Sequence, residues 1–392
     1  MIFYYICRQI NNLKSMKDTI AESFADIEDP RVLGRVLHPA VNIIYISIAA
    51  VLCGFRGWED IEDFGEALLP FLSERLDMSN GVPSHDTINR FFQIIDPDNF
   101  QRCLPRWVAA VEGEGGLKGQ TVSIDGKTIR LASRMSADGL PVHVVSAWAS
   151  DKGLVIGQVG LEWQEGKDKQ ENEILAIPKL LDKLDIEGDV VTIDAIGTQT
   201  AIAEKIVGKK ADYILSVKGN QPTLLADVER YFANHPGLEG EETIDFGHGR
   251  IEVRKYYVSD DLSYLADPDR WAGLSSIVRV QSSRTDKKTG EESVEDRYYI
   301  TSLTDRKRIS SSIREHWGVE SMHWTMDVNF GEDLSAKRAR NAAFNFDTLC
   351  KLALNILKND GYDHGKKKIS IRRKMNKAVL NREYLAHLLS LL

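Results

Sequence analysis

Cysteine is scarce in this 392-residue chain, and its four copies lie far apart. None forms a C-x-x-C pair with another, which argues against a disulfide framework and against a thiolate zinc site. The spacing favours reduced thiols in a cytosolic protein. The sequence also lacks the Ser/His/Asp or Cys/His arrangement typical of a covalent protein nucleophile. The four cysteines are Cys7, Cys53, Cys103 and Cys350.

Long hydrophobic runs are missing as well. The longest, Val41–Phe55, is shorter than the roughly 20 residues that a membrane span needs. It also contains Asn42 and Ser47, so it predicts a buried core helix that ends at Gly54. Residues 1–15 place apolar residues ahead of charge, the reverse of a secretory signal. We interpret them as an unstructured or mis-assigned extension, and we expect no membrane contact.

Positive charge is in deficit, since 50 Lys and Arg face 58 Asp and Glu, a formal net charge of -8. Nucleic-acid-binding proteins more often carry a positive balance, so any DNA contact must use local basic patches. Residues 361–392 form one such patch and are predicted to be a basic C-terminal tail. Its basic residues are Lys366, Lys367, Lys368, Arg372, Arg373, Lys374, Lys377 and Arg382.

The first half of the chain predicts a helical N-terminal domain over residues 16–112. Ser84 is a good helix N-cap, and apolar residues from Ile88 to Ile95 recur at helical spacing. The polar side of that helix could enter a DNA groove, or the helix could simply pack with a solvated face. The glycine-rich segment 112–119 then predicts a linker.

An α/β pattern predicts a second domain over residues 113–360. Alternating residues from Val122 to Ile156 indicate three neighbouring strands, followed by a helix over Asn172–Leu184. The run around Val190 predicts a strand buried on both faces, Thr200–Val207 a helix and Asp212–Val217 a further strand. Residues from about 222 to 300 lean towards β structure and are read as an insertion. Residues 306–358 are strongly helical.

Two aspartates follow apolar strands of this core. Asp125 stands in "SIDGKTIR" and Asp194 in "VVTIDAIGTQ". Ligand sites in open α/β sheets form at the carboxyl ends of strands, so the two side chains can converge. Gly126 and Gly197 follow them and are expected to leave room for a ligand, with Gly126 admitting DNA. A single strand-end aspartate could equally be a turn former.

A third acidic position lies in "REHWGVESMHWTMDVNFGED". Its acids and histidines recur at i, i+4, i+7 and i+11, which places them on one helix face. Two tryptophans on an adjoining stripe could pack the helix against the sheet. A charged, solvated face is the alternative, as is a zinc site for hydrolysis of a small substrate. The face comprises His316, Glu320, His323 and Asp327, and the stripe Trp317 and Trp324.

Cationic residues accompany the acids. Lys218 closes a strand and suits a phosphate oxygen or an acidic partner, or is a turn lysine. Arg250, Glu252 and Arg254 alternate along one strand face. This row could contact the DNA backbone, or it could form cross-strand ion pairs.

Together these blocks resemble the H-repeat-associated insertion-sequence transposases. The resemblance runs from about residue 20 to residue 360 and includes "DYILSVKGNQP" and "HGRIEVR". It implies an RNase H-like mixed-sheet catalytic core with a β-rich insertion, preceded by an all-helical domain. It also implies an Asp-Asp-Glu triad of Asp125, Asp194 and Glu320. Ser321 stands where the family often has Asn, and Asp327 is a competing third acid. The implied DNA contacts are Lys127, Lys218, Arg250, Arg254, His316, His323, Lys337 and Arg338.

The resemblance further implies a metal-dependent DNA transposase. Carboxylates suit Mg²⁺ or Mn²⁺, and two ions roughly 3.5–4 Å apart would activate the attacking oxygen and stabilise the leaving one. Water would nick the element end, and the freed 3′-hydroxyl would attack target DNA. The expected partners are double-stranded DNA and a second copy of the chain on paired ends. The expected place is the bacterial cytoplasm, at the nucleoid. A catalytically silent DNA-binding relic, a metal-dependent hydrolase and an α/β protein with no DNA role remain alternatives.

Overall fold

The computed structural model describes residues 24, 27–32, 34, 36–113, 117–135, 141–161, 172–247, 249–337, 339–365 and 369–392. The predicted extension over residues 1–15 lies outside this range, as do Cys7 and Arg338. Cys53, Cys103 and Cys350 are free and buried. Among the described residues, no helix is both long and apolar enough to span a membrane.

In the part of the chain that the structure describes, six helices precede the sheet. The predicted core helix is confirmed: its residues 42 to 52 are all buried, as expected for a helix that is apolar on every side. The predicted capped helix is also confirmed, because the Ser84 hydroxyl accepts a hydrogen bond from the Thr87 N–H. The helices are α1 (Ala40–Leu52), α2 (Trp58–Ala67), α3 (Leu69–Ser73), α4 (His85–Ile94), α5 (Pro97–Phe100) and α6 (Cys103–Glu112).

One nine-stranded mixed sheet follows, in the order β3-β2-β1-β4-β5-β9-β8-β7-β6. Strands β1 to β3 are antiparallel neighbours, and β4 runs parallel to both β1 and β5. All four residues of β4 are buried, which confirms the strand predicted to be covered on both faces. The first five strands are β1 (Thr121–Thr128), β2 (His143–Ala149), β3 (Leu154–Gly160), β4 (Val190–Ile193) and β5 (Asp212–Val217).

The predicted insertion continues this sheet. Its strands β6 to β9 join through β9, which pairs antiparallel with the end of β5. Two elements here were missed: the helix after β5 and the edge strand β6. The strands are β6 (Glu241–Gly247), β7 (Arg250–Ser259), β8 (Ser276–Asp286) and β9 (Glu292–Thr301). The helices between β1 and β6 are α7 (Arg130–Met135), α8 (Glu173–Lys183), α9 (Thr200–Gly208) and α10 (Pro222–Asn234).

Helices return after the insertion. A long helix, α13, packs against α1 and α4 on one side and against β3 on the other. Its Asn345 amide donates to the carbonyls of Phe92 and Ile95, and Asn355 exchanges two hydrogen bonds with the Val155 backbone. The helices are α11 (Arg306–Glu315), α12 (Trp317–Thr325), α13 (Arg340–Lys358), α14 (Ile371–Leu380) and α15 (Arg382–Leu389).

The predicted basic tail contains two helices that pack against the rest of the chain. In α15, Tyr384, Leu385 and Leu388 are fully buried against a core that includes α1. The Trp107 indole N–H donates to the Leu391 carbonyl at 2.6 Å. The N-terminal helices, the sheet and this C-terminal helix pair (α14 and α15) therefore share one hydrophobic core.

Candidate active site

Asp125 lies on β1 just beyond the point where the parallel pairing with β4 ends. That pairing runs from Thr121 to Ile124, whereas pairing with β2 continues to Thr128. The prediction that the strand ends at Asp125 was therefore wrong. Because β4 turns away one residue earlier, the Asp125 side chain nevertheless faces an open edge. Its Oδ2 lies 3.4 Å from Nδ1 of His323, and its side chain is 26 % exposed.

Asp194 directly follows β4 and is exposed. The loops after β4 and β5 are tied together by the polar residues of "KGNQP". The Asn220 amide donates to the Ala195 carbonyl at 2.6 Å, and the Gln221 amide donates to the Thr198 carbonyl at 2.9 Å. These bonds fix the position of Asp194 relative to Lys218, which lies at the same edge of the sheet.

Glu320 reaches the two aspartates from α12. The helix packs on β1 and β2, and its buried residues are Val319 and Met322. The prediction that two tryptophans pack it there was wrong for Trp324, whose surface is 64 % exposed. Trp317 is half-buried under a guanidinium group described below.

These residues meet in one cleft, which we call the acid cleft. It contains two of the three predicted acids and the predicted Lys218, and Asp125 borders it through His323 and His316. The lining residues are Thr192, Ile193, Asp194, Ile214, Ser216, Lys218, Arg297, Tyr299, Ile313, His316, Trp317 and Glu320.

The acids act on one another electrostatically. Burial raises the pKa of Glu320, and the charges of Asp125 and Asp194 raise it further. Burial lowers the pKa of the His316 imidazole, against the opposing effect of the same two aspartates. The His316 Nδ1 lies 2.9 Å from the Thr192 hydroxyl, which fixes the ring between the strands. The site therefore concentrates negative charge that a cation would relieve.

The competing third acid has another partner. Lys127 lies two residues after Asp125, and its Nζ is 2.5 Å from Asp327 and 2.7 Å from Glu332. Five residues from Met326 to Phe330 form a π-helical turn after α12, and this turn carries Asp327 towards Lys127. Lys127 is thus bound to carboxylates, and its contact with DNA remains a prediction. Among the described residues, no lysine, arginine or histidine forms an ion pair with Glu320.

Comparison with known proteins identifies the family of the chain. Residues 117–356 match the family model described as "Transposase DDE domain", and residues 21–108 match that of its companion, "DDE_Tnp_1-associated". The chain belongs to the H repeat-associated transposase family. It is 39% identical to the "H repeat-associated putative transposase YhhI" of Escherichia coli (strain K12), over 95% of this chain and 97% of that protein. The "Putative protein YbfL" of the same strain gives the same figures.

More distant likenesses add less. The "Inactive transposase YbfQ" of the same strain is 45% identical over only 18% of this chain. A piggyBac transposase synaptic complex with hairpin DNA overlaps with a TM-score of 0.38 at 12% identity, covering 94% of this chain and 77% of that chain. At that score the overlap does not establish a shared fold.

Gly126, which follows Asp125, is closely surrounded by neighbouring side chains. A Cβ at Gly126 would lie 2.3 Å from Glu173 Oε1 and 2.6 Å from His143 Nε2. Those two side chains form a 2.9 Å pair against the back of β1. A Cβ at Gly197 would likewise lie 2.4 Å from the Ile193 side chain. Side-chain packing therefore favours glycine at both positions, and the approach of DNA at Gly126 remains a prediction.

Of the arginine row on β7, Arg254 forms ion pairs. It is 7 % exposed and contacts Asp245 and, at 2.7 Å, Glu252. Arg314 of α11 lies 3.1 Å from the same Asp245. The structure therefore places Arg254 in the cross-strand ion-pair alternative. Arg250 is half exposed, and its contact with DNA remains a prediction.

Lys337 lies away from the acid cleft and away from solvent. Its Nζ donates to the Arg56 carbonyl at 3.0 Å and lies 3.5 Å from the centre of the Phe346 ring and 4.5 Å from that of Trp58. Burial lowers its pKa to about 8. Lys337 is thus a core residue, not an accessible DNA contact.

The sequence analysis missed Arg297. It lies on β9 in the acid cleft, close enough for its charge to lower the pKa of Glu320. A signal existed, because alternation along "DRYYITSL" puts Arg297 and Tyr299 on one strand face, opposite to Tyr298 and Ile300. Only the pairing of β9 with β5 shows that this face borders Asp194.

The donor set suits a hard divalent cation. Carboxylate oxygens are the ligands that Mg²⁺ and Mn²⁺ prefer. Burial, and then the charges of Asp125 and Asp194, raise the pKa of Glu320. In the part of the chain that the structure describes, no group of three or more His, Cys, Asp or Glu side chains is placed so that it could hold a metal ion.

Proposed function

We propose that this chain is an active insertion-sequence transposase that cuts the element ends and joins the 3′-hydroxyl to target DNA. Asp125, Asp194 and Glu320 are the proposed catalytic acids, on a core of RNase H-like type formed by β1 to β5. The observation that supports this most directly is the convergence of three acids from distant segments. Asp125 lies on β1, Asp194 follows β4 and Glu320 stands on α12, yet the charges of Asp125 and Asp194 act on Glu320.

The proposed acids would hold Mg²⁺ or Mn²⁺, and these ions would supply Lewis-acid stabilisation of the phosphoryl oxygens when bound. The chain itself supplies position and charge. Lys218 stands at the same edge as Asp194, where its ammonium group can bind a phosphate oxygen. The bonds of Asn220 and Gln221 hold that edge rigid.

The proposed partners are double-stranded DNA and a second copy of the chain on paired element ends. The reaction would take place in the cytoplasm, at the nucleoid. Phosphodiester hydrolysis at the end frees the 3′-hydroxyl, and transfer of that oxygen to a target phosphate breaks one target bond for each bond formed. No protein nucleophile is required.

The test is metal-dependent cleavage of a labelled duplex that carries the end of the encoding element. We expect the native protein to cut with Mg²⁺ or Mn²⁺. Asp125→Asn, Asp194→Asn and Glu320→Gln should each reduce the cleavage rate about a hundredfold or more while DNA binding persists. Asp327→Asn is the matched control, because its carboxylate pairs with Lys127 instead.

Two outcomes would contradict the proposal. Loss of cleavage in Asp327→Asn but not in Glu320→Gln would reassign the third acid. DNA binding by the native protein without cleavage under either metal would identify a silent relic.

A further inference from the structure

We propose that Arg297 binds a backbone phosphate of the DNA strand that is cut. This inference rests on the proposed function and assigns a substrate contact to a residue of the insertion. Arg297 lies on β9 and lines the acid cleft together with Asp194, Lys218 and Glu320. Of the described residues that line the cleft, only Lys218 and Arg297 carry a lysine or arginine charge.

The guanidinium group is held in a fixed plane. Its Nε and Nη2 donate to the Glu295 carboxylate at 3.0 and 3.2 Å. The group also lies over the Trp317 ring, 5.3 Å from its centre, as in a cation–π contact. Trp317 is the first residue of α12, the helix that carries Glu320. Arg297 is therefore positioned relative to the proposed third acid by two independent contacts.

Donors remain for a ligand. A guanidinium group has five N–H donors, and the Glu295 pair uses one on Nε and one on Nη2. The Tyr299 hydroxyl, on the same strand face, is a further hydrogen-bond partner. Two N–H donors then remain for a phosphate, a group that arginine recognises through such donors. The side chain is 31% exposed, so a ligand can reach it.

A role in fold stability explains an arginine at position 297 less well than phosphate binding does. Glu295 lies two residues away on the same strand face and is 49% exposed, and exposed ion pairs contribute little to folding. Strand β9 is held by β5 and β8 through backbone pairing that does not need the side chain. A phosphodiester that approaches Asp194 and Glu320, by contrast, meets negative charge and needs a cation on the other wall of the cleft.

The chain offers a closely matched control in Arg279 of β8. It donates to the Asp296 carboxylate at 2.9 Å through both Nε and Nη2, lies 5.6 Å from the centre of the Tyr257 ring and is 24% exposed. Its cross-strand partner is Tyr298, so it occupies the opposite face of the sheet from Arg297. Replacing it removes the same kind of contacts without touching the cleft.

The experiment measures binding of element-end duplexes in which one phosphate at a time is replaced by an uncharged methylphosphonate. The binding buffer contains Ca²⁺ in place of Mg²⁺, so that the experiment measures DNA affinity alone. We expect Arg297→Gln to weaken binding of the unmodified duplex about tenfold, and Arg279→Gln to change it less than about twofold. In the native protein, methylphosphonate substitution of one phosphate near the cleavage position should weaken binding by a similar factor. That loss of affinity should vanish in Arg297→Gln and remain in Arg279→Gln.

Identical methylphosphonate profiles for the native protein and Arg297→Gln would overturn the inference. Arg297→Lys, which keeps the charge but not the forked donor pair, provides a second variant if the glutamine substitution lowers the urea unfolding midpoint. Because the comparison reads binding only, it decides the role of Arg297 even if the native protein fails to cut DNA. Absence of any DNA binding by the native protein would overturn both the inference and the proposed function.

Discussion

At the scale of single residues, burial separates cations that can reach DNA from cations that cannot. Lys218 is exposed at the acid cleft, whereas Lys337 is 8% exposed and sits between two aromatic rings. Both lysines stand in sequence blocks that resemble transposases, so the sequence predicts both equally as DNA contacts. Only the packing of α2 and α13 around Lys337 distinguishes them.

Lys337→Met should leave DNA affinity unchanged and alter the pH dependence of stability. Burial lowers the pKa of Lys337 from 10.5 to about 8. Between those values the unfolded chain holds a proton that the folded chain has lost, so native stability rises as pH increases from about 8 to 10.5. The methionine variant lacks this contribution, and its curve should be flatter.

Urea unfolding midpoints of the two proteins from pH 7 to pH 10 measure the difference. If the urea midpoints of both proteins changed equally with pH, Lys337 would not be buried as described. If Lys337→Met instead lost DNA affinity, Lys337 would be a DNA contact.

At the scale of elements, much of the α/β core could be predicted because its periods are clear. The apolar run of β4 and the capped stripe of α4 are both where the sequence put them. The helix α10 was missed although Leu224, Val228 and Tyr231 recur at helical spacing. The segment from about 222 to 300 leans towards β structure as a whole, and the helix lies at its start. Arg297 was missed because strand order, not sequence order, brings β9 beside β5.

The C-terminal helix pair shows why a charged segment can mislead. Its basic residues suggest a solvated tail, but Tyr384, Leu385 and Leu388 fill one side of α15 and complete the core. Tertiary contacts with α1 decide the outcome, and no local signal in the charge run reveals them.

Removing residues 371–392 should therefore abolish cooperative unfolding rather than merely weaken DNA binding. Each large apolar side chain lost from the core contributes about 1.5–3 kcal/mol. The double substitution Arg372→Gln/Arg373→Gln is the control, since both side chains are exposed and their loss should leave the thermal transition within about 2 °C. A truncated chain that melts like the full one would show that the helix pair is a dispensable appendage.

At the scale of the whole molecule, the acidic net charge of -8 is not spread evenly over every surface. The face of the insertion that continues into the acid cleft carries Arg250, Arg254, Arg284 and Arg297, which are interleaved with carboxylates. Arg314 of α11 joins the resulting network of ion pairs, whose carboxylates are Asp245, Glu252 and Glu295.

Divalent cations should stabilise the entire fold by relieving the repulsion among the acids. Ligand binding to the native state alone adds about 2.7 kcal/mol at a hundred times the dissociation constant. For a chain of this size we expect Mn²⁺ or Ca²⁺ to raise the melting temperature by about 1–3 °C, reversibly with EDTA. Asp125→Asn should lose most of the shift and Asp327→Asn should retain it. Equal shifts in all three proteins, measured by calorimetry, would place the cation elsewhere.

The shared core also bears on how such a gene decays. Residues of both family-model matches, 21–108 and 117–356, contribute to one continuous hydrophobic interior, and α13 packs against α1 and α4 as well as against β3. A frameshift or deletion between the two matches would leave each fragment with part of that interior exposed to water. Such fragments would be cleared by proteases instead of persisting as competitors for the element ends, so a truncated copy of this gene would fall silent without inhibiting intact ones.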